Sequence, residues 1–318
     1  MGNIPALRAS ALGVVVAIAT VGHAALAQPA RQPAYRTQTE LVRVTATVTD
    51  AEGRAITTLQ QEDFTVSEDN APQDIALFTH DVDTPLSIVI ALDVSGSMKE
   101  ELDTVRAGLH AYVEALHEDD EVGLVTFGFS VHRVSGLTAP RAQLLAALND
   151  VSAGGGTALY AGIVEAAHTL ETARHQKKVL LLVTDGNNSS LRSSKRAATR
   201  AAQQSEAMVY ALAIGHAGRD SLRGRIVAAM TAPQMSLLRG FADASGGRAA
   251  LVDDVNGAGR ADVVGTIQEF GDELRQQYTI GYYPPARHGG NAVHQIRVTT
   301  RRADAMVRAR KLYLSAPP

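Results

Sequence analysis

The sequence predicts an α/β fold: a doubly wound, Rossmann-like, mostly parallel sheet inserted into a small β-sandwich built from the N- and C-terminal segments. Three observations predict it. Runs such as "LSIVIALD" (86–93), "EVGLVTFG" (121–128), "KKVLLLVTDG" (177–186) and "MVYALAIG" (208–215) are apolar almost throughout, as strands covered on both faces must be. Amphipathic helical stretches separate these runs, and right-handed crossovers between parallel strands lay such helices on both faces of an open sheet. The flanking segments instead alternate apolar and polar residues, as half-buried strands do.

Residues 1–27 read as a cleaved secretory signal, with one arginine (Arg8), a short Ala-rich apolar stretch and the small-x-small pattern Ala25-Leu26-Ala27. The stretch lacks the length and basic flank of a transmembrane anchor, so the mature chain is expected to be exported, periplasmic or secreted, with no membrane span. Residues 28–39 are a linker. Residues 40–83 supply the first part of the sandwich: "ELVRVTATVTD" is one strand, "EGR" a turn, and "DFTVSEDNAPQDIALF" two short strands around a turn at Asn70 to Pro72.

Residues 84–275 form the α/β domain. After "LSIVIALD" comes a helix with Val105, Leu109, Tyr112, Val113 and Leu116 on one face. "EVGLVTFG" is the next buried strand, "VHRVSGLT" an edge strand, and "RAQLLAALNDV" a helix. "GGGTALYAGIVEAAHTLETA" is a glycine loop feeding a longer helix. "KKVLLLVTDG", a helix over "SSKRAATRAAQQS" and "MVYALAIG" follow. Helices near 235–245 and 261–277 bracket a strand, "RAALVDD"; the second carries Val264, Ile267, Phe270 and Leu274 as its stripe. Residues 276–318 return to β, with "YTIGYYPP" and then alternation across Ile296, Val298 and Thr300. A few strands bury too little to stand alone, so the two flanks should pair with each other.

Composition narrows the chemistry. The 318 residues carry a formal charge of −3, with 45% hydrophobic and 20% charged residues, which suits a soluble globular protein and gives no basic field for nucleic acid. Cysteine is absent, which excludes disulfides, thiolate zinc sites, iron–sulfur clusters and cysteine nucleophiles. Oxygen and imidazole ligands remain. No G-x-x-x-x-G-K-[ST] loop offers a nucleotide site, and neither G-x-S-x-G nor H-E-x-x-H occurs. A D-x-D phosphatase would need a carboxylate at position 95, where this chain has Ser95.

Ligands of doubly wound sheets bind at the carboxyl ends of the strands, and two aspartates stand there, Asp93 and Asp185. Asp93, Ser95 and Ser97 leave the first buried strand at i, i+2 and i+4, and Gly96 lets the chain curl between the serines. A carboxylate and two hydroxyls are hard donors suited to Mg²⁺ or Mn²⁺. Three ligands are too few for an octahedral ion, and Thr157 after the glycines and Asp185 in "TDG" can complete the set. The blander reading is that each residue only caps a helix or a loop; Ser97 could be the N-cap of a helix starting near Lys99.

D-x-S-x-S after an apolar strand, a distant threonine and the aspartate of "TDG" resemble the metal-ion-dependent adhesion site of von Willebrand factor type A domains. Asp93, Ser95, Ser97, Thr157 and Asp185 match its five positions in order, and the resemblance covers roughly residues 84 to 275. The flanks "DFTVSEDNAPQDIALF" and "LRQQYTIGYYP" resemble exported bacterial proteins of this kind, those of Acidobacteria above all. The resemblance implies one divalent ion (Mg²⁺, or Mn²⁺ or Ca²⁺), bound directly by Ser95, Ser97 and Thr157 and mainly through water by Asp93 and Asp185. It implies a protein partner donating an Asp or Glu carboxylate to the ion, and no catalysis. Gly156, Asn187 and Asn188 are candidates for the rim of that binding surface. One departure is Ala161, where an acidic residue soon after "GGGTALY" is expected. Two alternatives stand beside this reading: a scaffold in which the ion only stabilises loops, and a metal-assisted hydrolase.

Overall fold

The computed structural model describes residues 41–80, 84–138, 140–191, 193–215, 235–252, 259–285 and 292–315. The expected signal peptide and linker lie outside the described residues. In β1 (Val42–Thr49) the alternation is visible as buried Val42, Val44, Ala46 and Val48 around exposed Arg43. The stretch expected to hold two strands holds three: β2 (Phe64–Glu68), β3 (Ala71–Gln73) and β4 (Ile75–Thr79). The turn is Asp69–Asn70, both with left-handed φ of 47° and 66°, so Pro72 falls inside β3. That is tolerable because β3 is an edge strand, where a missing N–H leaves no ladder bond unmade.

β5 (Leu86–Asp93) is buried at all eight positions. A turn of 3-10 helix leads to α1 (Leu102–Ala115), whose Val105, Leu109, Tyr112 and Val113 are buried. The helix stops at Ala115, so His117 stands in the following loop and does not share the helix face of His110 and Glu114. β6 (Glu121–Phe127) is wholly buried, and β7 (Val131–Ser135) is its antiparallel edge neighbour. Then follow α2 (Arg141–Asp150), α3 (Leu159–Leu170), β8 (Lys177–Thr184), α4 (Lys195–Gln204), β9 (Met208–Ile214), α5 (235–245), β10 (Ala249–Val252) and α6 (Gly259–Arg275). The buried stripe of α6 is Val263, Ile267, Phe270 and Leu274, with Val264 only half-buried. The last strands are β11 (Tyr278–Tyr282), β12 (Val293–Thr300), β13 (Met306–Ala309) and β14 (Leu312–Leu314).

The central sheet runs β10-β9-β8-β5-β6-β7, parallel except for β7. Alternate residues of its strands enter two cores. Ile88, Ile90 and Leu92 pack with α1, α2 and α6, while Val89 and Ala91 pack with α3, α4 and α5. This explains the unbroken apolar runs of β5, β6, β8 and β9, which have no wet face, whereas the edge strands β7 and β10 are partly exposed.

The flanks pair as expected. Sheets β13-β1-β11-β4 and β14-β12-β2-β3 share a core that includes Val44, Tyr278 and Ile280 from one and Val66, Ile296 and Tyr313 from the other. This sandwich meets the amino-terminal edge of the central sheet. The Gln277 side chain donates to Thr47 Oγ1 at 3.0 Å and to the Tyr210 hydroxyl at 3.2 Å. Tyr210 in turn donates to Glu273, which pairs with Arg308 at 2.6 Å. Along the same edge Asp120 accepts from the Leu86 and His117 amides and pairs with Arg275. Glu121 accepts from the Ser87 hydroxyl and from Arg174. Its burial opposes ionisation, but these donors outweigh it and hold the carboxyl below its usual range. Asp120, just before β6, and Glu121, its first residue, therefore fasten the sheet's amino-terminal edge.

Candidate metal-binding site

β5 ends at Asp93, which is fully buried, and the chain leaves the sheet there. The Ser95 amide donates to Asp93 Oδ1 at 2.9 Å, closing a tight Asx-type turn. Gly96 follows at the point of closest approach to the glycine loop: its amide donates to the Gly155 carbonyl at 2.9 Å, and a Cβ there would lie 3.3 Å from that oxygen. The turn brings the Ser95 and Ser97 hydroxyls to 3.0 Å. Ser97 is exposed and lies in the 3-10 turn; α1 starts at Leu102 with Glu101 at its N-cap, so Ser97 does not cap that helix.

At the end of β8, Thr184 donates its hydroxyl to Asp93 Oδ2 at 2.6 Å and accepts from the Gly186 amide at 2.9 Å. Gly186 adopts φ of 83°, which turns the chain outward just after Asp185. Asp185 is buried, and its two oxygens accept from the Asn187 amide at 2.9 Å and the Asn187 side chain at 3.0 Å. Thr157 is buried immediately before α3; its amide donates to Ser189 Oγ at 2.8 Å, and its carbonyl accepts from the Ser189 and Ser190 amides. A further bond, Gly154 amide to Val94 carbonyl at 2.8 Å, ties the glycine loop to the first turn. The three loops are thus fastened to one another by their own backbones.

The electrostatics are unfavourable without a cation. Burial, followed by the charge of Asp185, pushes the Asp93 carboxyl up to about 7, against the opposing hydrogen bonds from Thr184 and Ser95. Two buried carboxyl groups thus oppose each other at one edge of the sheet, and the turn after Asp93 carries the Ser95 and Ser97 hydroxyls. Of the rim candidates, Gly156 is half-buried, where a Cβ would come within 2.8 Å of Ser189 Oγ. Asn187 orients Asp185, and Asn188 is exposed with its side chain on the Ser190 carbonyl.

Sequence reasoning missed three residues. Thr184 looks like an ordinary strand residue, yet it holds Asp93. Phe129 and Leu191 stand 69% and 101% exposed on loops of this same face. Nothing in an apolar residue type signals exposure; the glycines and polar residues around Phe129 and Leu191 were the available hint. Elsewhere among the described residues, Glu68, Asp69 and His294 gather in the sandwich, but Glu68 accepts from the Tyr282 and Tyr313 hydroxyls and joins the two sheets.

Residues 88–188 match the family model described as von Willebrand factor type A domain. No curated protein matches the chain. Among solved structures, proximal thread matrix protein 1 of the mussel byssus is 16% identical, with a TM-score of 0.48, over 65% of this chain and 49% of that one. This chain therefore spans about half the length of the mussel protein, one structure of which is described as having a zinc-occupied MIDAS motif. A von Willebrand factor type A protein from Catenulispora acidiphila is 15% identical, with a TM-score of 0.49, over 81% of this chain and 76% of that one. An aerotolerance-related membrane protein from Bacteroides fragilis is 20% identical, with a TM-score of 0.46, over 59% and 98%.

Proposed function

We propose that this chain is an exported, non-catalytic, protein-binding module that holds one divalent cation at Asp93, Ser95, Ser97, Thr157 and Asp185. Mg²⁺ is the first choice, and the binding partner is a protein offering an Asp or Glu carboxylate. The match of residues 88–188 to the von Willebrand factor type A domain supports an interaction role of this kind. The carrying observation is the donor arrangement. Two buried carboxylates face one strand edge, and two hydroxyl oxygens stand 3.0 Å apart beside them. The two hydroxyls are hydrogen-bonded to each other at that distance, which also suits adjacent corners of an octahedron with bonds of about 2.1 Å, about 3.0 Å apart. The set contains oxygen alone, as a hard cation prefers.

When bound, the cation supplies an electrophilic position, because hydroxyl ligands leave its charge only partly neutralised. The chain's own residues do the rest: Thr184 and the Ser95 amide hold Asp93, Asn187 holds Asp185, and Ser189 holds Thr157 by its backbone. The interloop bonds also argue against a purely structural ion, since the loops are already fastened without one. A hydrolytic role would need a general base beyond Asp93 and Asp185, which the ion requires.

The test is a calorimetric titration of the chain with Mg²⁺ and Mn²⁺, beside Ser97→Ala. Saturable binding with one site, lost in the variant, is the expected result. No binding by the unaltered chain removes the adhesion reading and leaves a scaffold.

A further inference from the structure

Beside the metal-site loops lies a groove of about 560 Å³, within the range of about 300–1,000 Å³ typical of ligand clefts. It is lined by, among others, Val94, Phe129, His132, Val134, Val151 and Asp150. Val94, between Asp93 and Ser95, and Gly154 of the glycine loop both line it and are joined by a 2.8 Å backbone hydrogen bond, so the groove adjoins two of the loops that carry the proposed ligands. Its apolar wall is built deliberately. Phe127 pairs with Val131 across a three-residue hairpin turn, Gly128-Phe129-Ser130, closed by a Gly128 amide to Ser130 carbonyl bond of 3.0 Å. Phe129 is the apex of that turn. It is braced by Gly155, whose φ of 77° and would-be Cβ, 3.0 Å from Phe129 Cβ, leave room for glycine alone. A large aromatic residue is thereby held 69% exposed, and Val134 beside it is 37% exposed. Isolated exposed apolar residues need no explanation, but two that line one groove beside a charged site do.

The groove's charge is also informative. Among its described lining residues there is one carboxylate, Asp150, and no lysine or arginine. We propose that the groove is the second half of the partner site, and that it accepts a bulky apolar or aromatic side chain lying within two residues of the metal-seeking carboxylate, with a basic residue beyond it meeting Asp150. The occupant is thus an exposed segment of a partner protein with the order acid, aromatic or large aliphatic, base. In an extended segment, residues two apart face the same side about 7 Å from each other, which suits an acid on the cation and an anchor in the adjoining groove. A buried aromatic anchor supplies affinity and discrimination that one carboxylate–metal bond lacks. This inference rests on the metal-dependent reading above.

The experiment selects displayed random seven-residue peptides on the full chain in Mn²⁺, with parallel selections on Phe129→Ala and Ser97→Ala. The expected result is Mn²⁺-dependent enrichment of peptides pairing an acid with an aromatic or large aliphatic residue within two positions. Phe129→Ala keeps the acid and loses the apolar preference, and Ser97→Ala loses both. For the best synthetic peptide, Phe129→Ala and removal of the peptide's aromatic ring each weaken binding about tenfold or more, and the double change is no worse than either alone. Thermal unfolding of Phe129→Ala, whose side chain is largely exposed, confirms that the variant is folded. Enrichment of acids alone, indifferent to Phe129, overturns the groove and leaves the metal reading standing. Absence of any Mn²⁺-dependent enrichment overturns both.

Discussion

At pH 8 the Asp93 carboxyl is ionised inside the protein, with Asp185 close enough to oppose it. Its pKa rises from the ordinary 3.8 to about 7 on folding, so the folded state holds the proton more tightly than the unfolded chain does. The stability Asp93 contributes is therefore fully present below about pH 4, declines as pH rises through about 7, and is level above that. In chelator, Asp93→Asn should unfold at a higher temperature than the unaltered protein at pH 8, with the difference disappearing below about pH 4. Scanning calorimetry across that range measures it. The same proton competes with a cation, so Mg²⁺ affinity should fall as pH is lowered from about 8 to about 6, with proton release on binding. Titrations in buffers of different ionisation enthalpy detect that proton. Asp93, Ser95 and Ser97 were legible in the sequence because their relation is local, set by a turn of five residues. Thr184 was not, because its partner lies on another strand and only the β5–β8 pairing brings its hydroxyl within reach.

Among the elements, α3 is the one whose placement matters most to the site, since Thr157 immediately precedes it. Gly162 in α3 lies directly over the Phe127 ring: a Cβ there would sit 2.5 Å from ring carbons, and Phe127 is itself fully buried. Gly162→Ala gains about 1 kcal/mol of helix propensity, but the overlap cannot be relieved by moving a packed ring. The overlap wins, and the variant should be destabilised by about 1–3 kcal/mol in urea unfolding, with weaker Mg²⁺ binding because α3 must lift. The strands of the central sheet were readable because burial on both faces erases alternation. Finer features were less so. A helix period of 3.6 residues allows Val263 or Val264 to continue the stripe of Ile267, Phe270 and Leu274, and only packing against α1 selects Val263. Likewise, a proline inside "NAPQ" reads as a turn until the sheet order reveals an edge.

On the scale of the whole molecule, residues 39–318 form one unit. Polar contacts join sandwich and central sheet: buried Tyr210, Gln277 and Thr47 in one chain of hydrogen bonds, and partly exposed Glu273 with Arg308 beside it. Such groups lose their partners together if either part opens, at about 1–3 kcal/mol for each one left buried and unsatisfied. Helix loss seen by circular dichroism and loss of hydrogen-exchange protection in β12 should therefore share one midpoint. Glu273→Ala removes the acceptor of the Tyr210 hydroxyl, leaving only the bond it accepts from Gln277, and should lower that midpoint; two separated transitions in the unaltered protein would contradict the coupling.

The sandwich grips the amino edge of the central sheet, whereas the five candidate ligands stand at the carboxyl edge. β1 and β14, the first and last described strands, both belong to the sandwich. A partner pulling on the ligand edge against a sandwich held elsewhere would draw the tension lengthwise through β5. Its flanking ladders with β6 and β8 would then be loaded in shear, seven residue pairs on each side sharing the strain at once. Peeling, which breaks such bonds one after another, is the weaker geometry, and this arrangement avoids it.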